Sequence, residues 1–235
     1  MARSKNKPDI SQDLDPVEGK RLLEQGAKTL SIELSAYQIE QFMDYLALLV
    51  KWNRQINLTG LRSFREILIK HFLDSLTPLP YLPEKASLLD LGTGAGFPGL
   101  PIKIVRPHQP VTLIEASSKK VSFLKETVRH LKLGAVPIFL TYLDKGSPPS
   151  LETAPFDMVV TRAVGKTIDI LMAADSFLKP GGKVLFMKGP GGFGEIYNLK
   201  AQIQERGFRL EAPIFLTLPL LGQERTLIFV TKDRG

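Results

Sequence analysis

The sequence predicts an α/β fold in which a mostly parallel sheet of seven strands carries helices on both faces and ends in an antiparallel strand. Short apolar segments alternate with amphipathic helical segments along most of the chain, which is typical of strands joined by helical crossovers. A glycine-rich turn directly follows the first of these apolar segments. The last two apolar segments are too close together for a helix to lie between them, so they predict a hairpin.

The chain of 235 residues divides into three predicted parts. Residues 1–28 are polar and mixed in charge, which predicts a flexible leader that is disordered or loosely helical. In residues 29–83 apolar side chains recur every three or four positions, which predicts a helical N-terminal cap with helices beginning at Ser35 and Ser63. Prolines end the cap, and residues 84–235 form the predicted main domain.

Seven apolar segments predict the strands of the main domain. Five of them read as buried parallel strands, namely Leu88–Leu91, Val111–Ile114, Ile138–Leu140, Met158–Val160 and Val184–Met187. The hairpin is formed by Phe208–Leu218 and Arg225–Thr231. The clearest helix runs from Lys119 to Leu133, where Gly134 stops it. A tight turn is predicted at Pro180-Gly181-Gly182-Lys183, before the fifth strand.

The composition excludes several classes of site. The chain has no cysteine, which excludes disulfides, thiolate metal ligands and a cysteine nucleophile. Its three histidines are too scattered for a zinc centre, so we expect no metal. No apolar run reaches the roughly 18 residues of a membrane span, and the polar N-terminus lacks a secretory signal. We therefore expect a cytoplasmic protein without a membrane partner, and we expect a monomer.

The charge balance favours a polyanionic partner. Lysine and arginine exceed aspartate and glutamate by 31 to 24, a net charge of +7. Between Lys103 and Lys132 there are seven basic residues and two acidic ones. Because basic side chains displace counterions from phosphates, such a segment is typical of nucleic-acid binding.

The glycine-rich turn after the first strand permits two interpretations. Gly94, Gly96 and Gly99 fit the dinucleotide-binding pattern G-x-G-x-x-G. Gly92, Gly94 and Gly96, with Asp90 just before them, equally fit the G-x-G-x-G loop of enzymes that use S-adenosylmethionine. In either case the glycines let a ligand approach the backbone at the carboxyl end of a strand.

Glu115 ends the second strand and supports either cofactor. A carboxylate at this position can accept hydrogen bonds from both ribose hydroxyls of an adenosine, which the two cofactors share. The C-terminal hairpin favours one interpretation, because an inserted antiparallel strand is typical of class I methyltransferases. An NAD-dependent oxidoreductase would also need a hydride-transfer acid such as a Tyr-x-x-x-Lys pair, and none is evident.

Several segments together resemble one protein family. They are Trp52–Thr59, Lys70–Leu76, Asp90–Pro101, Lys119–Leu124, Thr161–Ala163 and Met187–Gly189. The chain resembles, over roughly residues 35 to 232, the glucose-inhibited division protein B family, also called ribosomal RNA small-subunit methyltransferase G. The resemblance implies a class I methyltransferase (Rossmann-like) fold. It also implies S-adenosylmethionine as cofactor and transfer of its methyl group to N7 of a guanosine in 16S rRNA of the small ribosomal subunit.

The resemblance also implies roles for individual residues. Gly92, Phe97, Leu143 and Asp144 would line the cofactor site, and Arg162 would lie at the junction of cofactor and substrate. The chain has Lys70 where family members often carry arginine. Lysine lacks the planar fork of arginine, which puts a bidentate role at this position in doubt.

The chemistry of N7 methylation agrees with the residues that follow the fourth strand. Guanine N7 carries a free lone pair and no proton, so the reaction needs no general base. Exocyclic-amine methylation often uses an Asn/Asp-Pro-Pro-aromatic loop, whereas this chain has Thr161–Val164 there. We predict that Arg162 acts in the active site by binding guanine O6 or a phosphate. Lys188, after the fifth strand, is predicted to hold an RNA phosphate.

Four cap residues have two interpretations each. Asn57, His71 and Asp74 either lie over the mouth of the cofactor site or fasten the cap through hydrogen bonds. His71 and Asp74 are three positions apart on a helix and therefore share a face, and for His71 the fastening role is favoured. Trp52 either stacks on a base or, the favoured interpretation, packs in the core. A methyltransferase for another RNA, a small molecule or a protein, and a non-catalytic RNA-binding module, stay open as alternatives.

Overall fold

A computed structural model describes residues 15–141, 155–162 and 165–233. This part of the chain confirms the predicted fold class, because it forms one mixed sheet between two layers of helices. The strands are β1 (Leu88–Leu91), β2 (Val111–Glu115), β3 (Ile138–Leu140), β4 (Phe156–Arg162), β5 (Leu178–Lys188), β6 (Phe208–Leu210), β7 (Ile214–Thr217) and β8 (Glu224–Lys232). They lie in the order β3-β2-β1-β4-β5-β8-β6, and β7 also pairs with β8.

The strand directions bring several strand ends together at one edge of the sheet, which we call the functional edge. Strands β1 to β5 pair in parallel, and β8 pairs antiparallel with β5, as predicted for the C-terminal strand. The carboxyl ends of β1, β2, β4 and β5 therefore share an edge with the beginning of β8. The chain order reverses between β1 and β4, which is where ligands bind in open α/β sheets.

Two predicted details of the sheet are wrong. The segment Phe208–Leu218 is not one strand but two, β6 and β7, which pair with different halves of β8. Pro213 lies in the break and has no N–H for a sheet ladder. The predicted turn at Pro180–Lys183 lies within β5, where Gly181 has a φ of +76° and the pairing with β4 shifts register. The glycines therefore form a bulge in the strand rather than a turn before it.

Short helices cover both faces of the sheet. The cap contains α1 (Pro16–Thr29), α2 (Ala36–Asn53), α3 (Phe64–Ile67), a π-helical segment (Leu68–Leu73) and α4 (Asp74–Leu76), followed by a 3-10 turn (Leu79–Tyr81). The other helices are α5 (Gly99–Val105), α6 (Ser118–His130), α7 (Thr167–Asp175), α8 (Gly192–Tyr197) and α9 (Lys200–Glu205). The predicted capping box of Ser35 and Gln38 is present at the start of α2.

From Pro16 onward the structure differs from the predicted flexible leader, because this part forms a regular helix, α1, with a buried face. The Asp15 side chain accepts a hydrogen bond from Val17 N, and a proline in the first turn suits a helix start. Leu22 and Leu23 are buried against the cap. The buried face of α1 carries only two large apolar side chains beside small residues, so the segment is polar on average and does not stand out in the sequence. Residues 1–14 of the predicted leader lie outside the described residues.

The cap packs on one face of the sheet and forms a common core with it. Side chains of α1, α2 and the π-helical segment share an apolar cluster with Met158, Val160 and Leu185 of the sheet. Helices α7, α8 and α9 cover the other face. Trp52 packs against this cap-side core, with its ring 5.8 Å from that of Phe123, as the favoured interpretation predicted. Because side chains alternate along a strand, Arg162 projects to the cap side.

Candidate active site

The glycine loop between β1 and α5 lies at the functional edge. Gly92, Gly94 and Gly96 all have positive φ angles, of 72°, 62° and 95°. Apart from its chain neighbours, no atom of the described residues lies within 4 Å of the position that a Gly94 Cβ would take, so in this part of the chain the loop faces open space there. At Gly96 a Cβ would lie 2.6 Å from Leu100 Cδ1. Gly94 therefore leaves room for a ligand, whereas Gly96 permits close packing.

Glu115, at the end of β2, is bonded to this loop. Its carboxylate is buried, and Oε2 accepts a hydrogen bond from Gly94 N at 2.9 Å. Oε1 accepts from Ser117 N at 2.9 Å and lies 3.8 Å from Lys120 Nζ. The structure thus brings together the predicted loop and the predicted ribose acceptor.

Asp90 is buried on the cap side of β1 with one unsatisfied oxygen. Its Oδ2 accepts hydrogen bonds from Thr93 Oγ1 at 2.6 Å and from Gly99 N at 2.7 Å. Its Oδ1 has no partner among the described residues. Burial raises the pKa of Asp90 to about 6, although the bonds from Thr93 and Gly99 oppose this rise. An unpartnered acceptor beside an open loop can be satisfied by a ligand donor.

We expect Asp90→Asn to remove a pH dependence from the stability of the protein. The folded-state pKa of about 6 lies above the usual 3.8, so the folded state binds this proton more tightly than the unfolded chain. The resulting stabilisation is complete below about pH 4 and is lost as the pH rises through about 6, a change of about 3 kcal/mol. Urea unfolding of both proteins between about pH 4 and about pH 7 measures it.

The control for this prediction is Asp157→Asn, which should show the opposite sign. Lys179 and the Ser87 hydroxyl and N–H hold the pKa of Asp157 below its usual value, so that carboxylate stabilises the fold more as the pH rises. A free-energy difference between the wild type and Asp90→Asn that stays constant with pH would contradict the assignment of the buried charge.

Arg162 lies at the end of β4 against an aromatic group. Its Cζ lies 5.3 Å from the centre of the Phe97 ring. That ring also stacks on His71, with centroids 4.6 Å apart, and on Tyr45, with centroids 5.5 Å apart. The Tyr45 hydroxyl donates to the carbonyl of Ala95 in the glycine loop. The buried Phe97 side chain therefore supports the loop from the cap side, and a cofactor contact from this residue would come from its backbone.

The cap holds the guanidinium of Arg162 at three points. Nη1 donates to the Lys70 carbonyl at 3.0 Å and to Asp74 Oδ2 at 3.3 Å. Nη2 donates to His71 Nδ1 at 2.8 Å. His71 and Asp74 thus share a face, as their spacing predicted, and both fasten the cap to the sheet.

His71 is neutral and both of its ring nitrogens are occupied. Arginine can only donate, so Nδ1 must accept, and Nε2 carries the hydrogen that is donated to Thr59 Oγ1 at 2.7 Å. Burial first, and the charge of Arg162 second, lower the pKa of His71 to about 3. These contacts support the fastening role that the sequence favoured.

The π-helical segment makes one of these contacts available. The Asp74 N–H donates to the carbonyls of Ile69 and His71 and passes over that of Lys70. In a regular α-helix the Lys70 carbonyl would accept this bond. Here it accepts from Arg162 instead, so the irregular turn provides an acceptor for the site.

Sequence reasoning missed Arg225, at the beginning of β8. Its Nε donates to Asp74 Oδ1 at 2.8 Å, so one carboxylate contacts two arginines. The antiparallel direction of β8, which the sequence did predict, places its first residues at the functional edge. That direction was the signal that could have selected this residue.

Lys188 and Arg162 project from opposite faces of the sheet. The position of Lys188 in β5 has the parity of Val184 and Phe186, which pack on the face opposite the cap. Its Nζ lies 3.2 Å from Glu195 Oε1 in α8. Asn57 is exposed in the cap loop. The predicted cofactor residues Leu143 and Asp144 lie outside the described residues.

The sequence matches a known protein family. Residues 38–219 match the sequence model of the GidB family, which is described as rRNA small subunit methyltransferase G. The chain belongs to this family. A GidB relative from Syntrophotalea carbinolica, named ribosomal RNA small subunit methyltransferase G, is 37% identical over 206 residues, which are 88% of this chain and 94% of the relative. A protein of the same name from Pelotomaculum thermopropionicum is 38% identical, over 89% of each chain.

The solved structures agree with the GidB assignment at the level of the fold. A SAM-dependent methyltransferase from Aquifex aeolicus matches with a TM-score of 0.53 and 18% identity, covering 71% of this chain and 92% of that one. Membership in the GidB methyltransferase family decides between the two interpretations of the glycine loop and excludes the oxidoreductase. Within the described residues of this GidB chain, no cluster of three or more acidic or histidine side chains could hold a metal. No helix there combines the length and apolarity of a membrane span.

Proposed function

We propose that the protein transfers the methyl group of S-adenosylmethionine to N7 of a guanosine in 16S rRNA of the small ribosomal subunit. The observation that carries the proposal is the position of Arg162, which contacts the glycine loop through Phe97 and ends a strand at the functional edge. The curated relatives are named for small-subunit ribosomal RNA, and the N7 position follows from the family resemblance. The protein would act as a cytoplasmic monomer without a metal.

The residues of the loop fit S-adenosylmethionine. Gly94 borders open space, Glu115 presents a carboxylate at the end of β2, and Asp90 offers an acceptor that is buried and unpartnered. Together with Gly92, Gly96 and the backbone of Phe97 they would hold the cofactor, and Leu143 and Asp144 are proposed to complete the site. When bound, S-adenosylmethionine supplies a methyl group on a sulfonium centre.

The groups around Arg162 suit a nucleophile that needs no deprotonation. His71 is neutral with both nitrogens engaged, and both oxygens of Asp74 accept from arginines. Among the described residues of this face, neither side chain is therefore free to remove a proton. Guanine N7 needs no base, so alignment alone can promote the transfer. Within the described ranges of the chain, Arg162 has no hydrogen-bond partner at Nε or at one Nη2 N–H, and we propose that these donors bind guanine O6 or a phosphate.

Lys188 can bind a phosphate only if its ion pair with Glu195 changes. Its ammonium is paired with Glu195, so binding an RNA phosphate would require that pair to open or to be bridged. We therefore propose Lys188 as a phosphate-binding residue on the opposite side of the sheet, separate from the groups that align the base.

The test is methyl transfer to RNA that lacks the modification. The protein is incubated with tritiated S-adenosylmethionine and either naked 16S rRNA or assembled small subunits from cells that lack this activity. We expect label in one guanosine, located by borohydride reduction and aniline cleavage, which cut the chain at N7-methylguanosine. Label at another atom, or binding of the cofactor without transfer to either substrate, would overturn the proposal.

A further inference from the structure

Arg225 occupies a place in the fold that suits contact with the substrate. Strand β8 runs antiparallel to β5, and its Thr226 pairs with Lys188 at the end of β5. Arg225 therefore lies at the edge where β4 ends with Arg162. Its parity in the strand is that of Leu227 and Phe229, which pack on the cap side, so both arginines project from the same face.

Asp74 joins the two arginines and leaves the group positively charged. Its Oδ1 accepts from Arg225 Nε at 2.8 Å and its Oδ2 from Arg162 Nη1 at 3.3 Å. The side chains are exposed by only 7% at Asp74, 16% at Arg162 and 15% at Arg225. One carboxylate cannot neutralise two guanidiniums, and the neutral His71 adds no charge. The net positive charge is partly desolvated, so it favours an anionic ligand.

Two other acids at the cap and sheet edge are paired with lysines. Glu66 contacts Lys70 Nζ at 2.6 Å, and Glu195 contacts Lys188. The side chain of Glu224, next to Arg225, is exposed to solvent at the strand end. Asp74 is therefore the acid in direct contact with both arginines among the described residues, and the buried carboxyl of Asp90 acts on Arg162 through its charge without a direct contact.

The two arginines differ in the donors that they keep. Arg162 uses three N–H groups on the cap and lies over the Phe97 ring. Arg225 uses Nε on Asp74 and one Nη1 N–H on the Glu224 carbonyl. In the described part of the chain, three N–H groups of Arg225 remain without a partner, including both on Nη2. Such donors match the oxygens of a phosphate.

We propose that Arg225 binds a backbone phosphate of the RNA next to the target nucleotide, and that Asp74 is the positioning residue that fixes Arg225 relative to Arg162. This inference rests on the proposed function, because it takes RNA as the substrate of the same site. Arg162, against the glycine loop, would orient the base, whereas Arg225, two strands further from the switch point, would hold the chain of the RNA.

The experiment compares Arg225→Ala with the matched variant Arg209→Ala. Arg209 is an exposed arginine of β6. It pairs with Thr231, which in turn pairs with Lys183 at the other end of the sheet. The Arg209→Ala substitution therefore removes the same charge at a position away from the site. RNA affinity is measured with unmethylated 16S rRNA over a range of salt concentrations. We expect Arg225→Ala to weaken binding by about tenfold and to reduce the slope of log affinity against log salt by about one.

Further readouts separate phosphate binding from a structural role. Arg225→Ala should raise KM for RNA with little change in kcat, and S-adenosylmethionine affinity should equal that of the wild type. Arg225→Lys should recover part of the RNA affinity, since lysine binds phosphate but cannot form the arginine fork. The lysine variant also tests the role of Arg225 if the alanine variant folds poorly. An unchanged salt slope in both Arg225→Ala and Arg225→Lys, or a loss of RNA affinity in Arg209→Ala equal to that in Arg225→Ala, would overturn the proposal.

The result is distinguishable from failure of the proposed function. If the wild type binds 16S rRNA but transfers no methyl group, the proposed function fails while the binding comparison still decides the role of Arg225. If the wild type methylates the RNA and Arg225→Ala binds it as tightly as the wild type, only the assignment of Arg225 fails.

Discussion

Arg162→Ala is expected to abolish methyl transfer, with a loss of at least about 100-fold in the rate of the chemical step. The guanidinium contacts both the cap and the Phe97 ring of the glycine loop at the functional edge. Its removal leaves His71 Nδ1 and the Lys70 carbonyl without their donor. We therefore also expect a stability loss of roughly 3 kcal/mol, as for other broken buried pairs. Single-turnover transfer with labelled cofactor and urea unfolding measure the two effects.

The matched variant Arg162→Lys separates charge from geometry. Lysine keeps the positive charge beside Asp74 but cannot reach His71, Asp74 and the Lys70 carbonyl together, because it lacks the planar fork. We expect it to fold more stably than Arg162→Ala and to remain strongly impaired in transfer. Full transfer activity in the alanine variant would show that Arg162 only fastens the cap.

Gly94→Val is expected to reduce S-adenosylmethionine affinity by at least about 100-fold, which corresponds to about 3 kcal/mol. A Gly94 Cβ would project into open space at the loop, where the cofactor is proposed to lie. A β-branched side chain is also strained at a φ of +62°. Isothermal titration calorimetry with S-adenosylmethionine measures the affinity.

Gly134→Val is the matched control for backbone strain. Gly134 also has a positive φ, of 72°, and open space around its Cβ position, but it follows α6 at the other end of the sheet. It should lose stability through the same strain and keep its cofactor affinity. Normal cofactor binding by Gly94→Val would mean that the glycine loop does not form the cofactor site.

The sequence predicted the centre of the sheet well because strong local signals mark it. Strand β1 has the predicted bounds, since four buried residues lead directly into glycines with positive φ. The edge of the sheet was less predictable. Pro213 divides one apolar segment into two strands, and Gly181 lies in a bulge of a longer strand, and both outcomes depend on how the chain pairs with distant residues.

The sequence predicted individual residues of the candidate site, but it did not predict the contacts that join them. The motifs selected Arg162, Asp90 and Glu115, and the helix spacing placed His71 beside Asp74. The contact between Asp74 and Arg225 joins residues 151 positions apart, so no local pattern shows it. The alternation of side chains along β5, which is visible in the sequence, places Lys188 on the opposite face from Arg162.

The π-helical turn in the cap makes the number of residues there as important as their identity. It accommodates one more residue than an α-helix with the same ends, and the carbonyl that it leaves over is the one that accepts from Arg162. Deleting a single residue from this turn would let a regular α-helix join the same ends, and the carbonyl that now accepts from Arg162 would be used within the helix. Homologous sequences should therefore keep the same number of residues across Leu68–Leu73, without insertions or deletions.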